Sequence, residues 1–404
     1  MGVFKMAWRN VWRSRRRSLV TVAAMTVALF VEIHHTSLID GYVAGAERNI
    51  LDLEMGDVQI FAQGYRDDPS LYAMIGDEEE IIAALRTRGF GASARLLGAG
   101  LAAAGDTSAG VMLRGIDVDR DARVSAVGRH VLEGRWLDPG DPRGIVVGRK
   151  LARTLAVGPG DEVVMLTQGA DGSMANDLYI VRGVLKSIGE GVDRAGVYMT
   201  EAAFRDLLVM PRGVHQIVVR RPAGMDLEAA TAVVRDLAPD LDVESWTQLM
   251  PTLSSMFESL RGVMATVYFI IFMAVGIVIL NAMLMSVFER IREFGVLKAL
   301  GTGPGGVMKL ILAESMIQTV LAVAAGCLLS IPSIWYLSVK GIDMGKIGGL
   351  SIYGIAWDPV LRFAVHASTY LGPVVALVAI VGIAVLYPAL KAALIRPVEA
   401  MHHH

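Results

Sequence analysis

Four long apolar runs constrain this chain more than any other feature of its sequence. They cover Ser18–Ile39, Val263–Phe288, Leu310–Val339 and Phe363–Leu390. The second run contains no formal charge, whereas the first carries Glu32, His34 and His35 near its far end. A helix needs about 20 predominantly apolar residues to cross the hydrocarbon layer of a bilayer. Because runs of this length and number are unusual for the core of a soluble protein, the sequence predicts four transmembrane helices.

Basic residues are concentrated on one side of these runs. They lie before the first run (Lys5, Arg9, Arg13, Arg15, Arg16, Arg17), between the second and third (Arg290, Arg292, Lys298, Lys309) and after the fourth (Lys391, Arg396). Basic residues near spans are retained in the cytoplasm, and four spans place all three groups there together. We expect a multi-pass protein of the bacterial inner (cytoplasmic) membrane with both termini cytoplasmic. The first run lacks a small-x-small cleavage site, so we expect a retained span.

The predicted order of segments follows from this topology. It is a basic cytoplasmic segment (1–17), a first span (18–39), a periplasmic domain (40–261), a second span (262–288), a cytoplasmic helix and turn (289–306), a third span (307–338), a periplasmic loop (339–362), a fourth span (363–390) and a cytoplasmic tail (391–404). The only cysteine, Cys327, lies in the third span, so no disulfide is expected. His402–His404 has the composition of a purification-tag remnant.

The domain between the first two spans has an α+β pattern. Strands are predicted at 56–62, 110–116, 144–148, 162–166, 178–185, 196–199 and 215–220, and helices at 78–86, 149–155, 201–208 and 227–237. His130 and His215 are isolated from any nucleophile, and neither glycine-rich loop has calcium-ligand spacing. We therefore expect a binding or force-transmitting domain rather than an enzyme, with no metal site.

The segment FERIREFGVLKALGTGPGG lies between the second and third spans and could be taken for a phosphate-binding loop. Gly301 and Gly306 have the spacing of a Walker A motif, but Val307 and Met308 stand where Lys and Ser/Thr are required. The glycines are instead expected to end a short helix. Its apolar stripe (Ile291, Phe294, Leu297, Leu300, with Val296 beside it) predicts either an interfacial helix or one that inserts the stripe into a partner's groove.

The string NAMLMSVFERIREFGVLKALGTGPGGVMKLILAESMIQTVLAVAAGCLLS contains a spaced set of residues at Asn281, Glu289, Arg290, Glu293, Gly295, Ala299, Gly301 and Glu314. At these positions the chain resembles the FtsX-like, or MacB-type, permeases of ABC transporters. The closing YPALKAALIRPVEAM is similar at Pro388, Ala389, Ala392, Pro397 and Ala400, and AWRNVWRSRRRSLVTV is similar to the family's basic start. The middle of the chain, including GDVQIFAQGY, LEGRWL and VVGRKLARTLAVGPGDEV, looks closest to the lipoprotein-releasing LolC/LolE permeases.

The resemblance implies an α-helical membrane protein with four transmembrane helices and a large α+β periplasmic domain, MacB-like, between helices 1 and 2. It also implies a coupling helix that contacts the ATPase, at Glu289, Arg290, Arg292, Glu293, Phe294, Gly295, Leu297, Lys298 and Gly301. A substrate cavity between the first two spans would be lined by Val27, Phe30, Val31, Met264, Val267, Phe269 and Ile271. Glu314 is expected to pair with Lys309 or Arg290.

The function implied by the resemblance is a permease subunit of a mechanotransmission (type VII) ABC transporter, which is not itself an enzyme. No cofactor would bind to this chain, because ATP and Mg would be held by two copies of a separate ATPase subunit. The other expected partners are a second permease copy or paralogue, a lipoprotein or other amphiphilic substrate, a periplasmic carrier or adaptor, and the membrane, with no nucleic acid. The alternatives are an adaptor-dependent efflux permease and an FtsX-like regulator of a periplasmic hydrolase.

Overall fold

The computed structural model describes residues 2–343, 351–352, 355–356 and 360–394. By contacts the chain divides into two units. The membrane unit comprises residues 1–44, 257–344 and 360–404, and the outer unit comprises residues 45–256 and 345–359. Part of the predicted loop 339–362 and most of the predicted tail 391–404, including Arg396, Pro397 and Ala400, lie outside the described residues.

The membrane unit is helical. Its elements are α1 (Gly2–Arg13), α2 (Arg15–Ile50), α10 (Pro251–Glu289), α11 (Ile291–Ala299), α12 (Pro304–Lys340) and α13 (Ala367–Leu394), with strands β11 (Ile342–Asp343) and β14 (Val360–Leu361) paired antiparallel. Helices α2, α10, α12 and α13 are each long and apolar enough to cross a membrane. The prediction of four transmembrane helices therefore agrees with the helices that the structure contains.

The spanning helices are longer than the predicted spans. Helix α2 covers 36 residues and does not end at Ile39, and α10 covers 39 residues and begins well before residue 262. Runs of apolar residues indicate only the part of a helix that lies in hydrocarbon, whereas backbone hydrogen bonding continues into polar sequence. The limits of the membrane itself stay predictions.

Helices α2 and α12 lie side by side and run in the same direction. The residue numbers of the contacting pairs increase in the same order along both helices. Gln318 donates to Ser18, Thr26 donates to the carbonyl of Ala322, and His34 Nε2 lies 2.8 Å from Ser333 Oγ. Between these levels, Leu29 packs directly over Gly326. Small residues on α12 allow this close approach, as is common for helices in membranes. The pair is therefore held by packing of small residues together with hydrogen bonds.

The outer unit is built on one mixed sheet. Its strands are β1 (Val58–Phe61), β2 (Gly91–Ala104), β3 (Thr107–Ile116), β4 (Val131–Gly134), β5 (Gly144–Val147), β6 (Glu162–Gln168), β7 (Met174–Leu185), β8 (Gly196–Thr200), β9 (Gln216–Arg220) and β10 (Asp242–Ser245). They are ordered β10-β1-β9-β2-β3-β8-β5-β7-β4, with β6 paired to β2 and β7. The β3–β8 and β5–β7 pairs are parallel and the others antiparallel.

Helices cover and connect this sheet. They are α3 (Glu78–Thr87), α4 (Val118–Asp121), α5 (Arg149–Leu155), α6 (Glu190–Ala195), α7 (Glu201–Leu208), α8 (Leu227–Leu237) and α9 (Trp246–Leu249). Apart from this sheet, strand β12 (Ser351–Ile352) pairs with β13 (Ile355–Ala356). Apolar residues that alternate along β1, β5, β8 and β9 pack against α3, α5, α7 and α8 in one buried core. The predicted α+β class is confirmed.

Candidate functional site

The short helix α11 is formed and ended by local sequence signals. Gly301 takes a left-handed backbone conformation (φ 93°), which glycine adopts without a steric penalty. Its N–H donates to the carbonyl of Lys298, and the N–H of Thr302 donates to the carbonyl of Leu297, each over 3.0 Å. This is the Schellman arrangement that ends many helices. Pro304 then occupies the first turn of α12, where a missing N–H has no effect. The predicted turn is confirmed.

The apolar stripe predicted on the coupling segment is only partly covered by the membrane unit. Ile291 and Phe294 are buried in the core of that unit, Phe294 to 2% exposure, and Gly295 is buried as well, whereas Leu297 is half-buried and Leu300 is exposed. The face that carries Ile291 and Phe294 is therefore not available to a partner, and insertion of the exposed part of the stripe into a partner's groove stays a prediction. Neighbouring residues from α12 and α13 cover this face, because the same core includes Val307, Leu310 and Ala389.

The far end of the stripe and the residues beside it are exposed. Val296 and Leu300 are exposed apolar residues, Leu300 to 79%, and Phe288, Arg292, Glu293 and Ala299 are exposed beside them. Glu289, Arg292 and Gly301 from the predicted contact set lie on accessible surface, whereas Arg290, Leu297 and Lys298 are half-buried. That these residues contact an ATPase stays a prediction.

Arg290 joins the coupling segment to α12. Its Nη1 donates to both carboxylate oxygens of Glu314, over 2.9 and 2.8 Å, and the two side chains are 15% and 10% exposed. Its guanidinium also lies 5.1 Å from the ring centroid of Phe294. Charge-assisted hydrogen bonds of this kind fix geometry more tightly than neutral ones. Of the two partners expected for Glu314, the structure selects Arg290.

The first helix of the chain takes part in the same cluster. Asn10 of α1 donates to Glu314 Oε1 over 2.6 Å. Arg13 pairs with Glu293 of α11, and Arg17 of α2 pairs with Glu289 at the end of α10. The cluster thus ties α1, α2, α10, α11 and α12 together by side chains alone. We call these seven residues (Asn10, Arg13, Arg17, Glu289, Arg290, Glu293 and Glu314) the coupling cluster.

The coupling cluster favours the ionised form of Glu293. Burial raises the pKa of the Glu293 carboxyl, but hydrogen bonds from Arg290 and Arg13 act in the opposite direction and leave the pKa below its ordinary value. Burial likewise lowers the pKa of Arg290, and the carboxylates of Glu314 and Glu293 outweigh that effect and raise it. Both shifts favour the charged forms of Glu293 and Arg290.

Lys298 connects α11 to the last spanning helix. Its Nζ donates to the backbone carbonyl of Ala393, near the end of α13, over 2.6 Å. Burial lowers the pKa of this ammonium group. An ammonium group at the end of a helix also complements the partial negative charge of the terminal carbonyls. A displacement of α11 would therefore act on α13 as well as on α12.

The predicted substrate-cavity residues are dispersed. Val27, Val31 and Phe269 are exposed, and Phe30, Met264, Val267 and Ile271 are half-buried. Phe269 lines a cavity of about 280 Å³ between α10 and α13, together with Met273, Ile277 and Ile380. Phe269 therefore faces α13 rather than α2. Within one chain, the residues that the structure describes do not place Phe269 against α2. The assignment of the remaining residues to a cavity stays a prediction.

The polar residues near the far end of the first predicted span are packed inside the unit. Glu32 is buried to 1% exposure. His34 contacts Ser333 of α12, and the ring of His35 lies 5.3 Å from that of Tyr268 on α10. Packing against α10 and α12 accounts for this burial.

Sequence reasoning missed the contribution of the basic N-terminal segment to the site. Arg13 and Arg17 were informative only about topology, because nothing in their spacing shows which acidic residues they meet. Their available signal is charge complementarity, since Glu289 and Glu293 follow the second span at a spacing of four residues. Among the described residues, no group of three or more His, Cys, Asp or Glu side chains could hold a metal ion.

Comparison with known families agrees with this architecture. Residues 18–237 match the MacB-like periplasmic core domain, and residues 265–397 match the C-terminal domain of FtsX-like permeases. The first match alone covers more than half of the chain.

Individual relatives are 15–25% identical in sequence to this chain. The lipoprotein-releasing system transmembrane protein LolC of Xylella fastidiosa (strain 9a5c) is 25% identical over 313 residues, which are 72% of this chain and 73% of the relative. The macrolide export ATP-binding/permease protein MacB of Burkholderia thailandensis is 24% identical over 378 residues, 85% of this chain and 54% of the relative. The crystal structure of the periplasmic region of MacB from Actinobacillus actinomycetemcomitans aligns with a TM-score of 0.35 and 15% identity, covering 49% of this chain and 92% of that one.

Proposed function

Because the chain belongs to the FtsX-like, MacB-type family of ABC transporter permeases, we propose that it transmits the motion of a separate ATPase subunit to the periplasmic side. In this mechanotransmission role the chain hydrolyses nothing itself. Two copies of the ATPase, which bind ATP and Mg, act on a dimer made of this chain and a second permease copy or paralogue. The proposed topology places α1, α11 and the C-terminal end of α13 in the cytoplasm.

The coupling cluster is the observation that carries this proposal. A force on α11 reaches α12 through Arg290–Glu314 and α1 through Arg13–Glu293, while Arg17–Glu289 joins the start of α2 to the end of α10. It reaches α13 through Lys298 and the carbonyl of Ala393. Helices transmit displacement well because their backbone hydrogen bonds make them stiff. Along the chain, α2 and α10 lead into the residues of the outer unit, which is where the proposed work is done.

The proposed substrate is a lipoprotein, extracted from the inner membrane and passed to a periplasmic carrier. Support comes from relatives named as lipoprotein-releasing transmembrane proteins, aligned over 72% of this chain, and from the sequence motifs of the outer unit. The exposed apolar residues of α2 and α10, such as Val27, Val31 and Phe269, suit contact with acyl chains.

The test is reconstitution of the permease with its co-purifying ATPase in liposomes that contain a lipidated protein. ATP and a soluble carrier should release the lipidated protein, while a matched protein without its lipid anchor should not respond to ATP. Equal release of both proteins would contradict the lipoprotein proposal. Absence of any ATPase in the purified complex, or release that is independent of ATP, would contradict the permease proposal itself.

Export of a small amphiphile is a second candidate, favoured by the alignment with a macrolide export protein over 85% of this chain. The two candidates differ in what stimulates ATP hydrolysis. If lipoprotein extraction is correct, lipidated protein in the liposomes should raise the ATPase rate and a macrolide should not. The opposite pattern would favour export.

A further inference from the structure

The amphipathic helix α1 presents three different arcs. Successive helical residues are turned by about 100°, so Ala7 and Val11 share one arc, and both are buried. Phe4, Trp8 and Trp12 share the next arc at a spacing of four residues and are 60%, 48% and 44% exposed. The rings of Trp8 and Trp12 pack edge to face with their centroids 5.9 Å apart. Only one apolar arc of α1 is thus covered by the rest of the chain.

The third arc of α1 and the residues that follow it are basic. Arg13 and Arg17 are engaged by Glu293 and Glu289. Lys5, Arg9, Arg15 and Arg16 are all exposed, and none of the four makes an ion pair with another residue that the structure describes. An exposed aromatic arc therefore lies directly beside a set of cations that the protein itself does not neutralise.

The position of α1 relative to the bilayer is fixed by its neighbours. Helix α1 ends at Arg13 and the spanning helix α2 begins at Arg15. Ser18 Oγ donates to the carbonyl of Val11 over 2.8 Å, which holds the end of α1 against the start of α2. Asn10 meets Glu314, near the start of the spanning helix α12. Two spanning helices thus hold α1 at the level where the apolar runs begin.

We propose that the exposed face of α1, formed by Phe4, Trp8 and Trp12 with Lys5 and Arg9, binds the headgroups of anionic phospholipids together with Arg15 and Arg16 at the start of α2. The aromatic residues enter the boundary between headgroups and acyl chains, where Trp is favoured. The cations contact the lipid phosphates, and each basic residue near an anionic membrane surface strengthens binding by about fivefold. The assignment of this contact to the cytoplasmic leaflet rests on the proposed function. The contact with lipid itself does not.

This contact would make the coupling cluster responsive to the membrane. The helix that holds Arg13 and Asn10 in place is the same helix that would contact anionic headgroups, so lipid binding would stabilise the positions of both residues. Amphipathic helices at an interface gain from apolar burial and from charge attraction together. A neutral bilayer supplies only the first of these.

The experiment measures tryptophan quenching in the full chain reconstituted in nanodiscs. One sample contains brominated phosphatidylglycerol diluted in plain phosphatidylcholine, and the other contains brominated phosphatidylcholine at the same fraction. The difference between the wild-type chain and the Trp8→Phe/Trp12→Phe variant isolates these two side chains from the other tryptophans. We expect this component to be quenched at least threefold more by brominated phosphatidylglycerol, and the preference to fall at high salt.

The basic residues are tested by Lys5→Gln/Arg9→Gln, which should remove the preference for the anionic lipid and leave quenching equal in both samples. The matched control is Arg123→Gln/Arg153→Gln, because both arginines are exposed in the outer unit, and it should keep the preference. Equal quenching in the wild-type chain, a preference that survives Lys5→Gln/Arg9→Gln, or no quenching of Trp8 and Trp12 by either lipid would overturn the proposal. Loss of the quenching in the assembled complex with the ATPase would assign this face to that protein and would also overturn it.

Discussion

Arg290 donates from one nitrogen, Nη1, to both carboxylate oxygens of Glu314, and thereby bridges the start of α11 to the interior of α12. Both side chains are largely buried. A charge left alone in such a site is destabilising, because desolvation is no longer offset by its partner. The pair is thus expected to contribute to stability mainly through the penalty for breaking it.

Removing one partner of this pair should therefore be more harmful than removing both. We expect Arg290→Gln and Glu314→Gln each to lower the unfolding free energy in SDS titration by about 3 kcal/mol, and the double variant to lose less than either single variant. The coupling energy from the double-mutant cycle is the measurement. The control pair is Arg17 with Glu289, whose side chains are 28% and 47% exposed, where a coupling energy below about 1 kcal/mol is expected. Strict additivity for Arg290 and Glu314 would contradict the structure.

The close approach of α2 and α12 at Gly326 gives a second prediction. A Cβ atom at this position would lie 2.9 Å from Cδ2 and 3.3 Å from Cβ of Leu29. Gly326→Ala should therefore force the two helices apart and lower stability by about 1–3 kcal/mol. Gly372→Ala and Gly382→Ala on α13 are matched controls, since nothing lies within 4 Å of their added methyl groups. Leu29→Ala should partly rescue Gly326→Ala, and absence of rescue would show that another contact limits the approach.

The outer unit shows how far periodicity predicts structure. Every strand and helix that the alternation of apolar residues predicts there is present, including β9 and α8. Strand β2 (GASARLLGAGLAAA) was missed because small residues have weak β propensity and show no alternation. Its glycines are required by neighbours: a Cβ at Gly98 would meet Phe204, and one at Gly100 would meet the carbonyl of Leu166. That requirement lies in tertiary structure and leaves no local signal.

The sequence predicted which residue types form the site, but not which face of α11 is covered. The charges of Arg290 and Glu314 indicated a pair, because ionisable residues near a membrane boundary need partners. Helix α11 has only nine residues; Phe294 within it is buried, whereas Leu300, which directly follows it on the predicted stripe, is exposed. Which face is covered depends on α12 and α13, whose contacts are distant in sequence. The predicted stripe is therefore divided between a covered end at Ile291 and Phe294 and an exposed end at Leu300.

His215 in the outer unit gives a prediction about pH. Its Nδ1 accepts from the N–H of Leu97 over 3.0 Å, so its Nε2 carries the proton and faces the carbonyl of Leu71 at 3.3 Å. Burial lowers the pKa of this imidazole below its ordinary 6.5. Between that lowered pKa and 6.5 the unfolded chain binds more protons than the folded one, so stability falls as the pH falls below 6.5.

The measurement is hydrogen exchange of β2 and β9 in the full chain between pH 5 and pH 8, corrected for intrinsic exchange. His215→Gln can replace both neutral hydrogen bonds but cannot titrate, so the protection of β2 should lose its dependence on pH below 6.5. His130→Gln is the control, because His130 lies outside the strands and should leave the dependence unchanged. An unaltered slope in His215→Gln would show that other groups set the acid sensitivity.

The two faces of α11 separate packing from partner binding. Phe294→Ala removes a ring that is buried in the membrane unit, so it should lower the unfolding free energy by about 3 kcal/mol. Leu300→Asp changes an exposed side chain and should alter stability by less than about 0.5 kcal/mol.

If the exposed residues of the coupling segment contact the ATPase, Leu300→Asp should still weaken ATPase binding at least tenfold, because it places a charge in an apolar contact. Met174→Asp serves as the charge-matched control for binding, because Met174 lies in the outer unit and is 84% exposed. The unfolding free energy and the affinity for the ATPase are measured on the same detergent-purified samples. If Phe294→Ala lowers the affinity and Leu300→Asp does not, the ATPase contact lies elsewhere on the membrane unit.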